Sequence, residues 1–302
     1  MDKLKSMTTF VAVVNGGGFS TAADKLGLSR AQVSKSVMQL EEYLGTTLLN
    51  RTTRRINLTE TGRIYYERCK SILQEIDETE NIAGEQTVKP HGTLTISAPT
   101  SFGILHLSEA IPEYIKKYPH VQISLSLADR LIDVVTEGFD LVIRIAELED
   151  SSLIARKIAP CKRIFCASPD YLKQNGNPKV PQDLAIHQCL VYSNELRSDA
   201  WVLHGPNGTE TVKVNGPVCA DNGDILKNAA ISGLGITLLP TFIVGPHLCD
   251  GKLQQVLPDY CPPEISIYAV FPTRRYLSAK VRTFVDFISK YFGETPKWDR
   301  FG

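Results

Sequence analysis

The sequence lacks the features that mark several common protein classes. No apolar run approaches the roughly 18 residues of a membrane-spanning helix, and the stretch Phe10–Val14 is too short for a signal peptide. No Walker A, G-x-S-x-G or H-E-x-x-H run occurs, and Gly233-Leu234-Gly235 does not continue as a dinucleotide fingerprint. These absences argue against a membrane protein, a secreted protein and the most familiar nucleotide, hydrolase and zinc-protease sites.

The cysteines lack the spacing of a disulfide framework or a zinc site. Their number is odd, and no two of them stand in C-x-x-C spacing. We therefore expect a cytoplasmic protein with free thiols, no metal ion and no cofactor. The seven residues are Cys69, Cys161, Cys166, Cys189, Cys219, Cys249 and Cys261.

Net charge is also lacking, because 33 Lys and Arg balance 33 Asp and Glu over 302 residues. The distribution is uneven, however. Residues 1–63 contain nine basic against five acidic residues, which leaves 24 basic against 28 acidic in the rest. With 43% apolar residues, the chain has material for roughly two globular domains. A basic N-terminal part on an acidic body suggests that the first part meets a polyanion.

The first sixty residues have the spacing of three short helices. Apolar residues at helical intervals predict a first helix over residues 3–14. Ser20 is the predicted N-cap of a second helix over residues 21–26. Ser29 and Gln32 form an S-x-x-Q capping box at the start of a third helix. Two short helices joined at a glycine predict a helix-turn-helix.

The third helix has a polar face suited to DNA. Arg30, Ser34 and Lys35 point away from the apolar stripe that begins at Val33. Near the N-terminus of a recognition helix, Arg and Lys reach the O6 and N7 atoms of guanine, and Ser reaches a base or a phosphate. Gln32 has two alternative roles, reading adenine or staying in the capping box.

A basic turn follows the three helices. Arg51, Arg54 and Arg55 stand within five residues, and the alternation of Ile56 and Leu58 predicts a short hairpin. Beside a helix-turn-helix, a basic hairpin is a wing whose arginines neutralise phosphates or enter a narrow minor groove. The alternative is a solvated charge cluster without a partner.

The run Phe19–Gly62 resembles the LysR-type transcriptional regulators. The alanine pair, LGLS, the VS-x-x-x-x-x-LE run, LG-x-x-LL-x-R and LTETG all have the spacing of that family. The family usually carries glutamine at the position of Arg30, so the resemblance does not fix the bases that this chain reads. We predict DNA contacts from Ser20, Arg30, Gln32, Ser34, Lys35, Arg51, Arg54 and Arg55.

A long amphipathic stretch joins this part to the rest of the chain. Without proline, and with Tyr65, Cys69 and Ile72 on one apolar stripe, residues 59–87 predict a linker helix about 40 Å long. The stripe can pack on its own chain or on a second copy. The resemblance implies an antiparallel pair with a second copy, hence a homodimer or homotetramer that places its heads on an inverted repeat.

From residue 92 the pattern alternates between strands and helices. Thr93–Ala98, Val121–Leu127 and Leu141–Ile145 predict strands, and the helix after the first of them is predicted to bury Leu105 and Tyr114. This alternation predicts an α/β fold with largely parallel sheets.

The resemblance also implies how the chain is divided. After a winged helix-turn-helix at 1–58 and the linker helix, residues 92–302 are expected to form a two-lobe effector domain akin to periplasmic binding proteins. One lobe would combine 92–162 with 267–302, and the other would be 163–266.

Three places at strand ends are candidate effector contacts. Thr100 and Ser101 open a helix, where free N–H groups suit an anion or simply receive a cap. Asp221 and Asn222 form a similar junction. Arg144 suits a carboxylate of the ligand or of its own chain. Phe102 belongs to the first of these junctions, and Trp201 either walls the site or fills core. The predicted contacts with a small, anionic effector are Thr100, Ser101, Phe102, Arg144, Trp201, Asp221 and Asn222.

Other functions compete with this interpretation. A solute-binding protein would explain the body but not the basic N-terminal part, and no motif marks an enzyme. Cys161 and Cys166 lie beside Lys162 and Arg163, which permits a redox-sensing regulator of the same family. We predict a transcriptional regulator, not an enzyme, with double-stranded DNA and a small effector as partners. RNA polymerase is a further candidate partner, and no membrane contact is expected.

Overall fold

The computed structural model describes the chain apart from residues 53–54, 84–88, 131, 133, 135–136, 148–153, 195–199, 207, 272–276 and 301–302. The chain divides into two compact units, Met1–Val88 and Lys89–Gly302. We call the first unit the head and the second unit the body, and each is described by itself.

The described part of the head contains four helices and a two-stranded hairpin. They are α1 (Lys3–Asn15), α2 (Phe19–Leu26), α3 (Arg30–Leu44), β1 (Leu49–Thr52), β2 (Arg55–Leu58) and α4 (Glu60–Ala83). The predicted three helices and the predicted hairpin are confirmed. Phe10, Val33 and Leu40 are fully buried where α1, α2 and α3 meet, so the apolar stripes of the sequence form one small core.

The helix starts in the head follow local capping chemistry. The predicted capping box is confirmed, because the Ser29 N–H donates to Gln32 Oε1 at 2.8 Å and the Gln32 N–H donates to Ser29 Oγ at 3.2 Å. The predicted cap at Ser20 is wrong. Gly18 takes extended backbone and serves as the N-cap of α2, so the helix begins at Phe19 and Ser20 lies inside its first turn.

The hairpin leads directly into the linker helix. β1 and β2 are antiparallel, with Leu49 opposite Leu58 and Thr52 opposite Arg55. The Thr59 hydroxyl donates to the Thr47 carbonyl at 2.8 Å and accepts from the Gly62 N–H at 2.9 Å. This side chain therefore fixes the angle between the hairpin and the start of α4.

Part of the predicted apolar stripe of α4 packs on its own head. Cys69 is fully buried in the head core, and the Tyr65 ring lies 5.9 Å from the Phe10 ring between centroids. Ile64 and Ile72 stay 61% and 41% exposed. Some apolar residues of α4 therefore pack on their own head, and others are exposed. The exposed ones are where a second copy, as predicted above, would pack on α4.

The body contains twelve strands and six helices in its described part. The strands are β3 (Gly92–Ala98), β4 (Val121–Leu127), β5 (Leu141–Ala146), β6 (Ile154–Cys161), β7 (Arg163–Ala167), β8 (Cys189–Tyr192), β9 (Ala200–Gly205), β10 (Gly208–Lys213), β11 (Cys219–Ala220), β12 (Ile236–Pro240), β13 (Gln254–Gln255) and β14 (Ile265–Phe271). The helices are α5 (Thr100–Phe102), α6 (Ser108–Lys117), α7 (Pro169–Asn175), α8 (Gly223–Ile231), α9 (Thr241–Cys249) and α10 (Ala279–Phe292). A π-helical turn, Gly103–Leu107, joins α5 to α6.

Two five-stranded sheets organise the body. The first has the order β4-β3-β5-β14-β6 and the second has the order β11-β8-β12-β7-β13. In each sheet two neighbouring pairs are parallel and two are antiparallel. The prediction of largely parallel sheets is therefore wrong, although the α/β fold itself is observed. The antiparallel pairs arise because one strand in each sheet runs against both of its neighbours, β14 between β5 and β6 in the first sheet and β7 between β12 and β13 in the second.

The first sheet draws on two distant parts of the chain. Its β6 ends at Cys161 before β7 opens the second sheet at Arg163, and β14 returns to it at Ile265. One continuous core contains residues of both sheets and their helices. The carboxyl ends of the parallel strands β3 and β4 lie side by side, with Ala98 opposite Leu127. The side chains that follow these two strands therefore meet.

Candidate DNA interface and effector site

The N-terminal turn of α3 presents basic side chains to solvent. Arg30 and Lys35 are exposed and Ser34 is half-buried, whereas Val33 and Val37 on the opposite side are fully buried. Neither Arg30 nor Lys35 forms an ion pair with a residue in the described part of the head. Their charges are therefore available to phosphates or base edges.

The other predicted DNA contacts have different settings. Ser20 is exposed in the first turn of α2. Gln32 is exposed, but its side-chain oxygen accepts from the Ser29 N–H. Arg51 belongs to β1 and Arg55 to β2, on the two sides of the hairpin turn, and Arg54 lies outside the described residues. Arg51 and Arg55 thus lie on adjacent, antiparallel strands of the hairpin.

In the body, the predicted helix start at Thr100 already has a carboxylate. Asp129 Oδ1 accepts the Thr100 N–H at 2.8 Å, and Asp129 Oδ2 accepts from Asn222 Nδ2 at 2.9 Å. The Asp129 carbonyl also accepts from Asn194 Nδ2 at 2.7 Å. We call these four residues the Asp129 clasp. It joins the end of the first sheet to loops of the second, because a carboxylate suits the free N–H at a helix start.

A second contact between the sheets lies beside the Asp129 clasp. The Ser101 hydroxyl donates to Asp224 Oδ2 at 2.6 Å, and Lys227 Nζ lies 2.6 Å from Asp224 Oδ1. Burial alone would raise the pKa of Asp224, but the hydrogen bonds from Lys227 and Ser101 outweigh it and lower the pKa. Asp224 is therefore an ionised link between the two sheets at neutral pH.

The predicted cap of α8 is also observed. Asn222 Oδ1 accepts the Asp224 N–H at 3.0 Å, so one amide side chain caps its helix and donates to Asp129 at the same time. Its neighbour Asp221 is exposed. Thr100, Ser101 and Asn222 are thus brought together, as the strand-end argument requires.

Arg144 has a different neighbourhood. It lies in β5 opposite Tyr268 of β14, and its guanidinium donates to the carbonyl of Ile132. The side chain is half-buried. This hydrogen bond uses one of its donors on the chain itself, which leaves others for a ligand.

The two predicted aromatic contacts lie in cores. Phe102 is fully buried among Phe242, Phe292 and Trp298, with ring centroids 5.4–5.9 Å away. Trp201 is 3% exposed and packs on Phe165 within the second core. The prediction of both residues as effector contacts is corrected here, because neither ring has open surface to offer, and for Trp201 the core alternative is the one observed. Both stand in strands or helices whose apolar sides face inward.

The sequence argument missed Asp129, Asn194 and Asp224. A signal for Asp129 was present, because it follows β4 closely and β4 is parallel to β3. Carboxyl ends of parallel neighbours meet, so a polar residue after either strand belongs to the same site. Asn194 carries the same signal, because it follows β8 closely and β8 is parallel to β11, the strand that precedes Asn222.

The candidate redox cysteines are poorly suited to sensing. Burial raises the pKa of Cys161 to about 12, although the charge of Arg163 acts in the opposite direction. Burial also raises the pKa of Cys166 to about 12. Both thiols therefore stay protonated near neutral pH, whereas a reactive thiol needs a lowered pKa and access to solvent.

Among the residues that the structure describes, no three His, Cys, Asp or Glu side chains are grouped as a metal site requires. None of the helices over the described ranges is long and apolar enough to cross a membrane.

Comparison with known proteins agrees with the geometry. Residues 4–63 match the bacterial regulatory helix-turn-helix proteins of the lysR family, and residues 88–293 match the LysR substrate binding domain. An HTH-type transcriptional regulator of Haemophilus influenzae is 42% identical over 281 residues, which cover 93% of this chain and 98% of that protein. The regulator DmlR of Escherichia coli is 37% identical over 292 residues, covering 96% and 95%.

A solved structure extends the likeness to the fold. CrgA of Neisseria meningitidis, a LysR-type transcriptional regulator, superposes with a TM-score of 0.62 at 32% identity, covering 96% of this chain and 99% of that one. These relatives are named as regulators rather than enzymes. The chain belongs to the LysR-type family of DNA-binding transcriptional regulators, with a helix-turn-helix domain and an effector-binding domain.

Proposed function

We propose that this chain binds double-stranded DNA at an inverted repeat and that a small anion, bound at the Asp129 clasp, changes that binding. The site would be read by a homodimer or homotetramer in the cytoplasm, with RNA polymerase as a further candidate partner. The N-terminal turn of α3 carries the proposal. Its apolar side is buried in the head, and Arg30 and Lys35 are left exposed without an ion pair in the described residues.

Each predicted DNA contact has a role in this proposal. Arg30, Ser34 and Lys35 enter the major groove, where Arg30 donates to guanine. Ser20, in the first turn of α2, contacts a phosphate. Gln32 holds the turn through its capping box and does not read a base. The wing arginines at positions 51, 54 and 55 contact phosphates or a narrow minor groove.

The first experiment is binding of the purified chain to a fragmented genomic library of its source at near-physiological salt, with bound fragments sequenced. We expect enrichment of a few sites that share an imperfect inverted repeat, because two heads in one oligomer require two half-sites. Salt-sensitive binding without any enriched site would contradict a sequence-specific regulator and would leave only a basic head on DNA.

Two variants distinguish a residue that recognises a base from a residue that contacts the DNA backbone. Arg30→Ala is expected to relax the preference at one base position by about 1–3 kcal/mol. Arg54→Ala is expected to weaken binding to all sequences and to lower the slope of log affinity against log salt by about 1. Lys173→Ala, which removes an exposed lysine from α7 of the body, is the control. Equal losses of specific and non-specific binding in both variants would refute these roles.

The oligomer is proposed to form through the outer side of α4. Ile64 and Ile72 are exposed there, whereas Tyr65 and Cys69 are used within the head. Burying two large apolar side chains on each copy stabilises an antiparallel helix pair. Ile72→Glu is expected to shift the chain toward monomers in sedimentation, while the head stays folded by circular dichroism. An unchanged oligomer would contradict this contact.

The effector proposal rests on the two donors that Asp129 occupies. The Thr100 N–H and Asn222 Nδ2 converge on one carboxylate, and a ligand carboxylate offers the same oxygens. Binding would displace Asp129 and change how the two sheets are joined. A ligand shifts this equilibrium only by its different affinity for the two arrangements. This difference is what transmits binding to the DNA-bound oligomer.

Succinate and acetate serve as probes of these donors. Because Asp129 competes for them, Asp129→Ala is expected to bind succinate at least about tenfold more tightly than the unchanged chain, as measured by calorimetry. Asn222→Ala, made in the same variant, is expected to reverse the gain. Asp170→Ala removes an exposed carboxylate of α7 and is the control. If Asp129→Ala and Asp170→Ala behave alike, the clasp does not cover an anion site.

A further inference from the structure

A cavity of about 300 Å³ lies in the body apart from the Asp129 clasp. It is lined by the helical run after β3, by α9, by the end of α10 and by residues 297–300. No residue of the clasp lines it. The residues that determine its chemistry are His106, Tyr291, Phe292, Lys297, Trp298 and Arg300.

Aromatic rings form the walls of this cavity. The His106 ring lies 4.4 Å from the Trp298 ring, and Trp298 lies 5.2 Å from Phe292 and 6.1 Å from Phe242 between centroids. His106 stands in the π-helical turn Gly103–Leu107. Such turns insert one residue into a helix, and they are frequent at functional sites. The walls therefore suit a flat, apolar group of similar size to a side-chain ring.

One polar group in the wall has no partner. The Trp298 side chain is 8% exposed, and its indole N–H makes no hydrogen bond to any residue that the structure describes. A buried donor without an acceptor costs free energy, so such groups call for an explanation. The nitrogen atom itself is buried, so an acceptor on a bound molecule would satisfy this donor after a small shift of the Trp298 ring.

The histidine contributes no positive charge. Its Nε2 lies 3.3 Å from the Phe242 carbonyl, which accepts only if Nε2 carries the proton. Burial lowers the pKa of His106, and the hydrogen bond to Phe242 opposes this effect in part. The imidazole is therefore neutral near pH 7 and acts as part of the aromatic wall.

Two cations at the rim are not neutralised. Lys297 and Arg300 are exposed, and neither forms an ion pair within the described ranges. Arg300 Nη2 donates to the Thr295 carbonyl at 3.4 Å, which leaves most of its donors unused. Glu109 also lines the cavity, so the side chains at the rim sum to one positive charge. This balance favours a monoanion.

The end of the chain holds these cations in place. Thr241 Oγ1, at the start of α9, donates to Asp299 Oδ1 at 2.5 Å. Asp299 closes the 3₁₀ turn Lys297–Asp299, in which Trp298 is buried. The turn is thus fixed to α9 at both its polar and its apolar side, and the cations stand over a preformed cavity.

We propose that this cavity binds a small aromatic monocarboxylate, with its ring against the aromatic wall that His106 and Trp298 form and its carboxylate at Lys297 and Arg300. The unpaired cations select a carboxylate over a neutral or cationic aromatic compound. The site shares no residue with the Asp129 clasp. Binding in this cavity can therefore be tested separately from binding of the effector proposed above.

Phenylacetate is the probe for this site. The chain has two tryptophans, so Trp201→Phe leaves Trp298 as the single indole fluorophore. We expect phenylacetate to change the Trp298 emission saturably, and phenylacetamide and phenethylamine to bind at least about tenfold more weakly. Calorimetry on the unchanged chain gives the same affinity without the core substitution. No saturable binding by either method up to about 10 mM would overturn the proposal.

Single substitutions locate the binding. Lys297→Ala and Arg300→Ala are each expected to raise the Kd of phenylacetate at least about threefold. Lys173→Ala, on the exposed side of α7, is expected to leave it unchanged. Binding that is insensitive to both rim variants, or that is equally tight for phenylacetamide, would show that the cavity does not recognise a carboxylate. Binding that is lost in Asn222→Ala but unchanged in both rim variants would place the molecule at the clasp instead and equally overturn the proposal.

Discussion

The buried ion pair between Lys280 and Asp140 provides the sharpest test of how the body is held together. Lys280 lies in α10, is 4% exposed, and places Nζ 3.0 Å from Asp140 Oδ2 and 2.5 Å from the Thr93 carbonyl. It thus ties the last helix to β3 and to the residue just before β5. Replacing Lys280 with Met keeps the apolar stem and removes the charge and its hydrogen bonds.

The expected loss of stability depends on the partners that the Asp140 carboxylate keeps after Lys280 is replaced. Removing one partner of a buried ion pair commonly costs 3–5 kcal/mol, because the other charge stays buried. Here the Asp140 side chain is 14% exposed and keeps hydrogen bonds from the Thr95 N–H at 2.9 Å and hydroxyl at 2.8 Å. These donors partly compensate the carboxylate, so we expect Lys280→Met to lower the free energy of unfolding by about 2–4 kcal/mol.

Tryptophan fluorescence during urea unfolding measures this loss. Both tryptophans, Trp201 and Trp298, belong to the body, so their emission follows the body in the full-length chain. Lys290→Met, an exposed lysine on the same helix, is the control and is expected to change stability by less than about 0.5 kcal/mol. All variants are compared at one protein concentration, because association adds to apparent stability.

The double variant gives the refuting result. Asp140→Asn keeps an acceptor for Thr95 and removes the charge, so Lys280→Met with Asp140→Asn leaves no unpaired buried ion. We expect its loss to fall short of the summed single losses by at least about 1 kcal/mol. Strict additivity, or a Lys280→Met variant as stable as Lys290→Met, would show that the pair is not coupled as described.

Three shorter predictions concern other parts of the chain. Gly62→Ala is expected to destabilise the head by about 2–4 kcal/mol in thermal unfolding, because a Cβ there would lie 2.0 Å from the Leu48 carbonyl oxygen; an unchanged midpoint would contradict this contact. Ser29→Ala is expected to cost about 1 kcal/mol through its capping box, with Ser71→Ala on α4 as the control. At pH 8, a thiol reagent is expected to label three exposed cysteines in the folded chain and the four buried ones only after unfolding. Rapid labelling of a fourth thiol would contradict the buried setting that raises the pKa of Cys161, Cys166 and Cys189 to about 12.

The head was largely predictable because its signals are local. The capping box at Ser29 lies within four residues, and the helix stripes repeat within one or two turns. The error at Ser20 has the same local origin. A serine and a glycine two residues apart both suit an N-cap, and the extended backbone of Gly18 decided between them.

The body was less predictable because its pairings are distant. β14 pairs with β5 and β6, which lie more than a hundred residues earlier. The sequence of β14 itself does not indicate whether it runs parallel or antiparallel to them. The helix after β3 shows a second limit. Its π-helical turn inserts one residue, so Leu105 is 38% exposed instead of buried, and Tyr114 is buried as predicted.

The candidate effector site combines residues with a local sequence signal and residues that only the fold brings together. Thr100 and Asn222 were predicted from strand-to-helix junctions, which are local patterns. Their shared partner Asp129 is 29 residues from one and 93 from the other, so only the fold joins them. Phe102 and Trp201 failed as contacts because an aromatic residue beside a junction has the same sequence signal whether it faces a cleft or a core.

The two proposed sites meet on one helical run, which makes their coupling testable. Thr100 touches the Asp129 clasp, Phe102 packs on Phe292 and Trp298, and His106 lines the cavity. Displacing Asp129 from Thr100 would therefore move a segment whose next residues support the cavity wall. If the run transmits this change, succinate must alter the Kd of phenylacetate by the same factor by which phenylacetate alters that of succinate. Calorimetric titration of each probe in the absence and presence of the other measures both factors. Two occupied sites with no mutual effect would mean that residues 100–107 do not connect them.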